Sequence, residues 1–153
     1  MSRIGFDKEK HPYQLQLRVA SGFDIHGLQN SSSVNINFLK GIITDYHTDD
    51  DQIKTNIQEY IASDDEMKDL YSFFTFDALE KFDAMPESEK SQYDIGYYDN
   101  ANLLFLMICG DGRVTDGHRH GVYSNDPIHM ALEWMDKILP FDAHVIWDFV
   151  LLN

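Results

Sequence analysis

The hydrophobic period of the chain changes near residue 50, and this change restricts the folds that the sequence can adopt. Tyr13–Val19 alternates strictly between apolar and polar residues, and Val34–Phe38 does the same. Such alternation is typical of strands with one buried face. The second strand can be extended through Ile42 and Ile43. After residue 50 the apolar residues recur at spacings of three and four, which is the period of an amphipathic helix.

Two helices are predicted directly after this change of period. The first covers Ile53–Ile61, whose apolar residues recur at helical spacing, and it follows a capping pair at Thr48 and Asp51. The second begins at a capping box formed by Ser63 and Glu66. Its apolar stripe consists of Met67, Leu70, Tyr71 and Phe74.

The next apolar stripe leaves two possibilities open. It consists of Phe76, Leu79 and Phe82. These residues either continue the second helix or form a separate short helix after Thr75, and Pro86 ends the segment.

The C-terminal half of the chain predicts a strand, a loop, a helix and a second strand. Leu103–Cys109 is apolar on both faces, as expected for a central strand. The segment 110–121 holds four glycines and is predicted to be a loop. Asp126 followed by Pro127 predicts the start of a helix. Ala143–Leu152 is predicted to close the chain as a buried strand.

Together these elements predict an α+β fold in a single domain spanning residues 1–153. We expect a mixed or antiparallel sheet of about four strands with three to four helices packed on it. The composition is 43% hydrophobic and 13% aromatic, which is enough apolar surface to fill one core.

The charge of the chain is regional. Between Asp45 and Asp99 there are sixteen Asp and Glu residues and four Lys, which accounts for most of the net charge of −14. A field of this sign repels nucleic acid and anionic membranes, so neither is expected as a partner. It attracts basic proteins, which are the expected partners. Oligomeric state is not predicted by any feature of the sequence.

The expected location is the cytoplasm. The N-terminal residues 1–7 contain no apolar region of the kind that a secretory signal needs. No apolar run approaches the roughly 20 residues of a membrane span. The single cysteine, Cys109, excludes an internal disulfide, and its apolar surroundings predict a buried and unreactive thiol.

The histidine pair His118 and His120 is the sharpest local motif. In an extended segment, residues two apart project to the same side, so both imidazoles can reach one metal ion. Together with Gly112, this pair resembles the opening of the first metal-binding motif of the cupins, although no Glu follows at the cupin spacing. Two histidines are too few for a stable zinc site. The three alternatives are a metal-dependent enzyme, a polar surface loop and a loop that contacts a partner, in which Arg119 would donate hydrogen bonds.

Other charged residues have structural interpretations. The Asp49–Asp51 run is expected to complement the dipole of the first predicted helix. Asp148 in the predicted last strand is expected to pair with Arg18. His129 and Glu133 are four residues apart on the last helix and predict a solvated pair. No motif implies a cofactor.

We hypothesise that the acidic region binds a basic protein. Its two helices would supply charge and the neighbouring tyrosines would supply buried anchors. The residues assigned to this contact are Asp64, Asp65, Glu66, Asp69, Asp77, Glu80, Asp83, Tyr97 and Tyr98. In type, such a chain is similar to the immunity proteins that inhibit bacterial toxins. Besides the metal-dependent enzyme built on His118 and His120, one alternative remains, an acidic surface that serves solubility alone.

Overall fold

The computed structural model describes residues 3–20, 31–48, 55–90, 102–119 and 123–143. Within these ranges the chain forms six strands, three α-helices and one 3-10 helix. The strands are β1 (Gln14–Ala20), β2 (Ser31–Asn37), β3 (Ile42–Thr48), β4 (Thr55–Ile61), β5 (Asn102–Ile108) and β6 (Val114–Arg119). The helices are α1 (Asp64–Phe73), α2 (Phe76–Ala84) and α3 (Pro127–Ile138), and the 3-10 helix is Glu87–Glu89.

The six strands form one antiparallel sheet in the order β4-β3-β2-β1-β5-β6. The α+β class predicted from the sequence is confirmed, but the expected number of about four strands is too low. Every pairing joins strands that run in opposite directions, so the sheet contains no parallel crossover within the described residues.

The helices cover one face of this sheet. Leu15 and Leu17 on β1 pair with buried residues on both neighbouring strands, which places a continuous apolar layer on that face. The stripe predicted for α1 is fully confirmed, because Met67, Leu70, Tyr71 and Phe74 are all buried. The opposite face of β1 carries Gln16 and Arg18, which are exposed. We call this second face the outer face of the sheet.

The helix predicted over Ile53–Ile61 is wrong where the structure describes it, because residues 55–61 form β4. The error has a simple cause. Ile57 and Ile61 are four residues apart, and an even spacing fits the two-residue period of a strand as well as a helical turn. Both side chains lie on the outer face of the sheet, where they are 61% and 63% exposed. Tyr60 points to the helix-covered face instead.

Two other local predictions need correction. The second strand does not run through Ile42, because a turn separates β2 from β3. In this turn Gly41 adopts φ of 70°, a left-handed conformation that favours glycine, and its N–H donates to the Asn37 carbonyl. The segment predicted as a glycine-rich loop contains β6, an edge strand that pairs only with β5 in the described sheet.

The helix starts follow the predicted capping residues. The Ser63 hydroxyl accepts from the Glu66 N–H at 3.1 Å, and the Glu66 carboxylate accepts from the Ser63 N–H at 2.8 Å. Thr75 caps α2 by accepting from the Ala78 N–H, so the separate short helix is the correct alternative. Asp126 caps α3 and Pro127 is its first residue.

No helix in the described ranges is long and apolar enough to cross a membrane. The strand predicted over Ala143–Leu152 lies outside the described residues except for Ala143, which is buried. The predicted pairing of Asp148 with Arg18 and the Asp49–Asp51 run also involve residues that are not described.

The exposure of Ile57 gives a direct test of the strand assignment. We expect Ile57→Thr to change the free energy of unfolding by no more than about 0.5 kcal/mol, because this side chain contacts mainly solvent. Ile43→Thr, on the neighbouring strand, should cost about 2–4 kcal/mol, because that side chain is fully buried. Urea denaturation of both variants makes the comparison. Equal costs would contradict the strand and agree with a helix that buries Ile57.

Candidate functional site

The helices of the described structure carry nearly all of its excess negative charge. The three α-helices and the 3-10 helix contain eleven Asp and Glu residues and three Lys. The six strands contain three acids and two Arg. The formal charge is therefore −8 on the helices and −1 on the strands. Since the helices cover one face of the sheet, the negative charge is concentrated on one side of the described fold.

Seven of the nine predicted contact residues lie on α1 and α2. Six of them are exposed, on the parts of each helix that do not face the core: Asp64, Asp65, Asp69, Asp77, Glu80 and Asp83. Glu66 is only half-buried. Tyr97 and Tyr98, the predicted anchors, lie outside the described residues.

Glu66 has a structural role of its own. Besides closing the capping box, its carboxylate accepts from the Tyr60 hydroxyl at 2.9 Å. Partial burial acts to raise the pKa of Glu66, but the hydrogen bonds from Ser63 and Tyr60 outweigh it, so the pKa lies below its ordinary value. The same bond raises the pKa of Tyr60, because the protonated phenol donates it and ionisation would lose it; burial and the charge of Glu66 add smaller effects in the same direction. Glu66 therefore has a structural role within the protein, in which it joins β4 to α1.

Two more of the predicted acids form ion pairs within the protein. Asp64 lies 3.5 Å from the guanidinium of Arg3, and Asp83 lies 3.0 Å from that of Arg119. For the remaining four, no ion pair is formed with any described residue. These are Asp65, Asp69, Asp77 and Glu80, and we call them the unpaired helical acids.

Arg119 lies in the interior and not in a surface loop as predicted. Its guanidinium donates to Asp126 through two nitrogens, at 2.6 and 3.2 Å, and its side chain is 10% exposed. The rings of Phe82 and Phe105 each lie 5.1 Å from the guanidinium carbon. Arg119 thus connects β6 to α2 and to the start of α3, and it is not available to a partner.

A shallow groove between α1 and α3 was not predicted from the sequence. It has a volume of about 280 Å³ and is lined by Asp69, Phe73, Met130, Glu133, Trp134 and Lys137. The predicted pair of His129 and Glu133 is present, with 2.5 Å between the His129 Nε2 and the Glu133 Oε1, but His129 is buried and only Glu133 of the two is exposed. The α3 residues that line the groove recur at i, i+3, i+4 and i+7, which places them on one helix face. This spacing was the sequence signal from which that wall of the groove could have been predicted.

The predicted metal ligands are only partly described. His118 is exposed on the outer face of β6, next to Asp116, and His120 lies outside the described residues. No group of three His, Cys, Asp or Glu side chains that could hold a metal ion occurs in the described part of the chain.

Cys109 is buried as predicted, and burial raises the pKa of its thiol. Two neighbouring charges have smaller effects on this pKa: Arg113 lowers it and Asp111 raises it.

The chain was compared with protein families, curated sequences and solved structures. No family model, no curated protein sequence and no solved structure matches this chain. The α+β fold and the one-sided acidic surface are therefore the observations from which a function is argued.

The lowered pKa of Glu66 predicts a specific acid response. Tyr60→Phe removes a hydrogen bond to the ionised carboxylate, so the pKa of Glu66 should rise. A ¹³C NMR titration of the Glu66 carboxyl carbon measures this shift, with Tyr46→Phe on β3 as the control. An unchanged titration in Tyr60→Phe would contradict the assignment.

The free energy of unfolding should depend on pH through the ionisation of the Glu66 carboxylate. Because the folded pKa of Glu66 is lowered, its contribution is complete above the unfolded value of about 4.3 and is lost as the pH falls through the folded value. Glu66→Gln keeps the capping oxygen but does not titrate. Its free energy of unfolding should therefore fall less than that of the natural protein between neutral pH and pH about 3.

The buried ion pair predicts unequal costs for its two carboxylates. Asp126→Asn should lower the free energy of unfolding by about 3–5 kcal/mol, because a buried guanidinium loses its main counter-charge while the N-cap oxygen is kept. Asp83→Asn should cost less than about 1 kcal/mol, because Asp83 is half exposed. Urea denaturation separates the two, and equal costs would show that Arg119 does not depend on Asp126.

Proposed function

We propose that this protein is an inhibitor of the immunity-protein type, which binds and blocks a basic toxin or nucleic-acid-processing enzyme. The observation that carries the proposal is the difference in charge between the helices, at −8, and the strands, at −1. A one-sided negative field attracts a positively charged protein surface and orients it toward the helices.

The unpaired helical acids support this function more strongly than the total charge does. Glu66, Asp64 and Asp83 are occupied by contacts within the protein. Asp65 and Asp69 on α1, with Asp77 and Glu80 on α2, form no ion pair with any described residue and are exposed. Carboxylates that form no ion pair within the described protein can attract the cations of a partner more strongly than paired ones.

The proposed mechanism is occlusion. An enzyme that acts on nucleic acid binds phosphates in a groove lined with Lys and Arg. A rigid helical surface that carries several carboxylates can occupy that groove and exclude the phosphate backbone. The inhibitor needs no reactive group for this role, and association should be fast and sensitive to salt.

The test uses two variants that remove the same charge from different places. Asp77→Asn with Glu80→Gln removes two acids from α2, and Glu59→Gln with Asp116→Asn removes two from the outer face of the sheet. Basic proteins whose genes neighbour the gene of this protein are purified. Surface plasmon resonance then measures how the natural protein and both variants bind them, at low and at high ionic strength. The natural protein should bind one of them and inhibit its activity on nucleic acid.

The α2 variant should associate about three- to tenfold more slowly at low salt, while the sheet variant should remain close to the natural protein. High salt should remove most of this difference. Equal effects of both variants would mean that only net charge matters. Failure to bind any neighbouring basic product would contradict the proposal itself.

A further inference from the structure

The groove between α1 and α3 has the composition of a site for one cationic side chain. Its apolar lining comes from Phe73, Met130 and Trp134, and its carboxylates are Asp69 and Glu133. A volume of about 280 Å³ is at or below the lower end of the range for small-molecule sites, about 300–1,000 Å³. It suits a single long side chain better than a cofactor or an organic substrate.

The two walls of the groove are held in place by helix packing. Asp69 and Phe73 are four residues apart on α1, so they lie on the same side of that helix. On α3, Glu133 and Trp134 lie on the turn that faces α1. The Trp134 indole N–H donates to the Glu66 carbonyl at 2.9 Å, a bond that joins the two helices and fixes the indole. The groove is therefore formed before any partner arrives.

The chemistry of the lining selects an arginine over other side chains. The three methylenes of arginine can pack on the apolar lining, and its planar guanidinium both stacks on aromatic rings and pairs with carboxylates. Glu133 already contacts His129 at 2.5 Å through one oxygen, while its side chain remains 56% exposed. Asp69 has no ion pair with a described residue. Among the described residues that line the groove, Lys137 is the one whose charge opposes a cation, and it lies on the following turn of α3.

We propose that this groove receives one arginine side chain of the basic partner, with the guanidinium between Asp69 and Glu133. The assignment rests on the proposed inhibitory function and adds a specific anchor to it. The unpaired helical acids of α2 guide the approach, and the groove holds a defined side chain of the partner at the α1–α3 side. Anchors of this kind contribute a large part of the affinity of an interface.

A small probe tests the groove without a partner. Nα-acetyl-arginine amide is titrated into the natural protein, and the Trp134 indole signal and the α1 and α3 amide signals are followed by ¹⁵N NMR. We expect saturable shifts confined to the groove. Nα-acetyl-norleucine amide, which has a similar stem and no charge, should produce much smaller shifts. Equal shifts from both probes, or none from the arginine probe, would overturn the assignment.

Variants then identify the carboxylates. Asp69→Asn and Glu133→Gln should each weaken binding of the arginine probe about two- to fivefold, since each removes one partly exposed charge. Lys137→Met should strengthen it by a similar factor. The matched controls are Asp65→Asn on α1 and Asp136→Asn on α3, which are exposed and lie outside the groove lining. Losses in the controls as large as in Asp69→Asn would contradict a defined site.

The outcomes for the groove and for the inhibitory function are separable. If a neighbour-encoded basic protein binds and Glu133→Gln leaves its dissociation rate unchanged, the groove assignment is wrong and the inhibitor proposal stands. If the arginine probe binds as expected but no basic protein does, the inhibitor proposal is wrong and the groove remains a site for a cationic side chain. If Glu133→Gln speeds dissociation of the protein partner several-fold and weakens the arginine probe, both are supported.

Discussion

One buried cation, Arg119, joins α2 and the start of α3 to the edge of the sheet. An arginine withdrawn from water costs several kcal/mol unless its charge and its hydrogen bonds are satisfied. Arg119 meets this requirement with a bidentate bond to Asp126, a contact with Asp83 and two flanking aromatic rings. Arg119 lies on β6 and Phe105 on β5, whereas Asp83 and Phe82 lie on α2 and Asp126 is the N-cap of α3. The cation therefore joins α2 and α3 to the edge of the sheet. At the other end, the bond from Tyr60 to Glu66 joins β4 to α1. The acidic surface is therefore presented by helices that are tied to the sheet at both ends.

Local chemistry explains which parts of the fold could be predicted from sequence. Capping residues act through hydrogen bonds to the next few residues, so Ser63 and Asp126 identify the starts of α1 and α3 without any tertiary information. Strand β1 has a buried and a solvated face, so alternation identifies it. Strand β4 is different, because the even spacing of Ile57 and Ile61 fits two periods at once. Only the pairing with β3, which is a tertiary contact, decides between them. Edge strand β6 buries little and lacks a hydrophobic signal altogether.

The same distinction applies to the candidate site. Sequence located the acidic region, but it could not tell acids with an internal role from acids without one. Glu66 could have been separated by its capping-box position, since that role implies a hydrogen bond within the protein. The internal role of Asp83 could not have been recognised from sequence, because its counter-charge, Arg119, comes from a distant part of the chain. The groove was missed for a related reason, because its two walls come from α1 and α3 and meet only in the folded protein.

The placement of the unpaired helical acids has an energetic cost that bears on their role. Asp65 and Asp69 are four residues apart, and Asp77 and Glu80 are three apart, spacings that bring like charges together on one helix face. Each such pair lowers helix stability by about 0.2–0.5 kcal/mol, and the lysines of α1 and α2 compensate only in part. Solubility does not require this cost, because acids dispersed over the strands would raise net charge without close repulsion. A cation bound between the clustered acids removes the repulsion. The free protein therefore holds a repulsion that a positively charged partner would relieve, which favours the proposed docking surface over a surface that serves solubility alone.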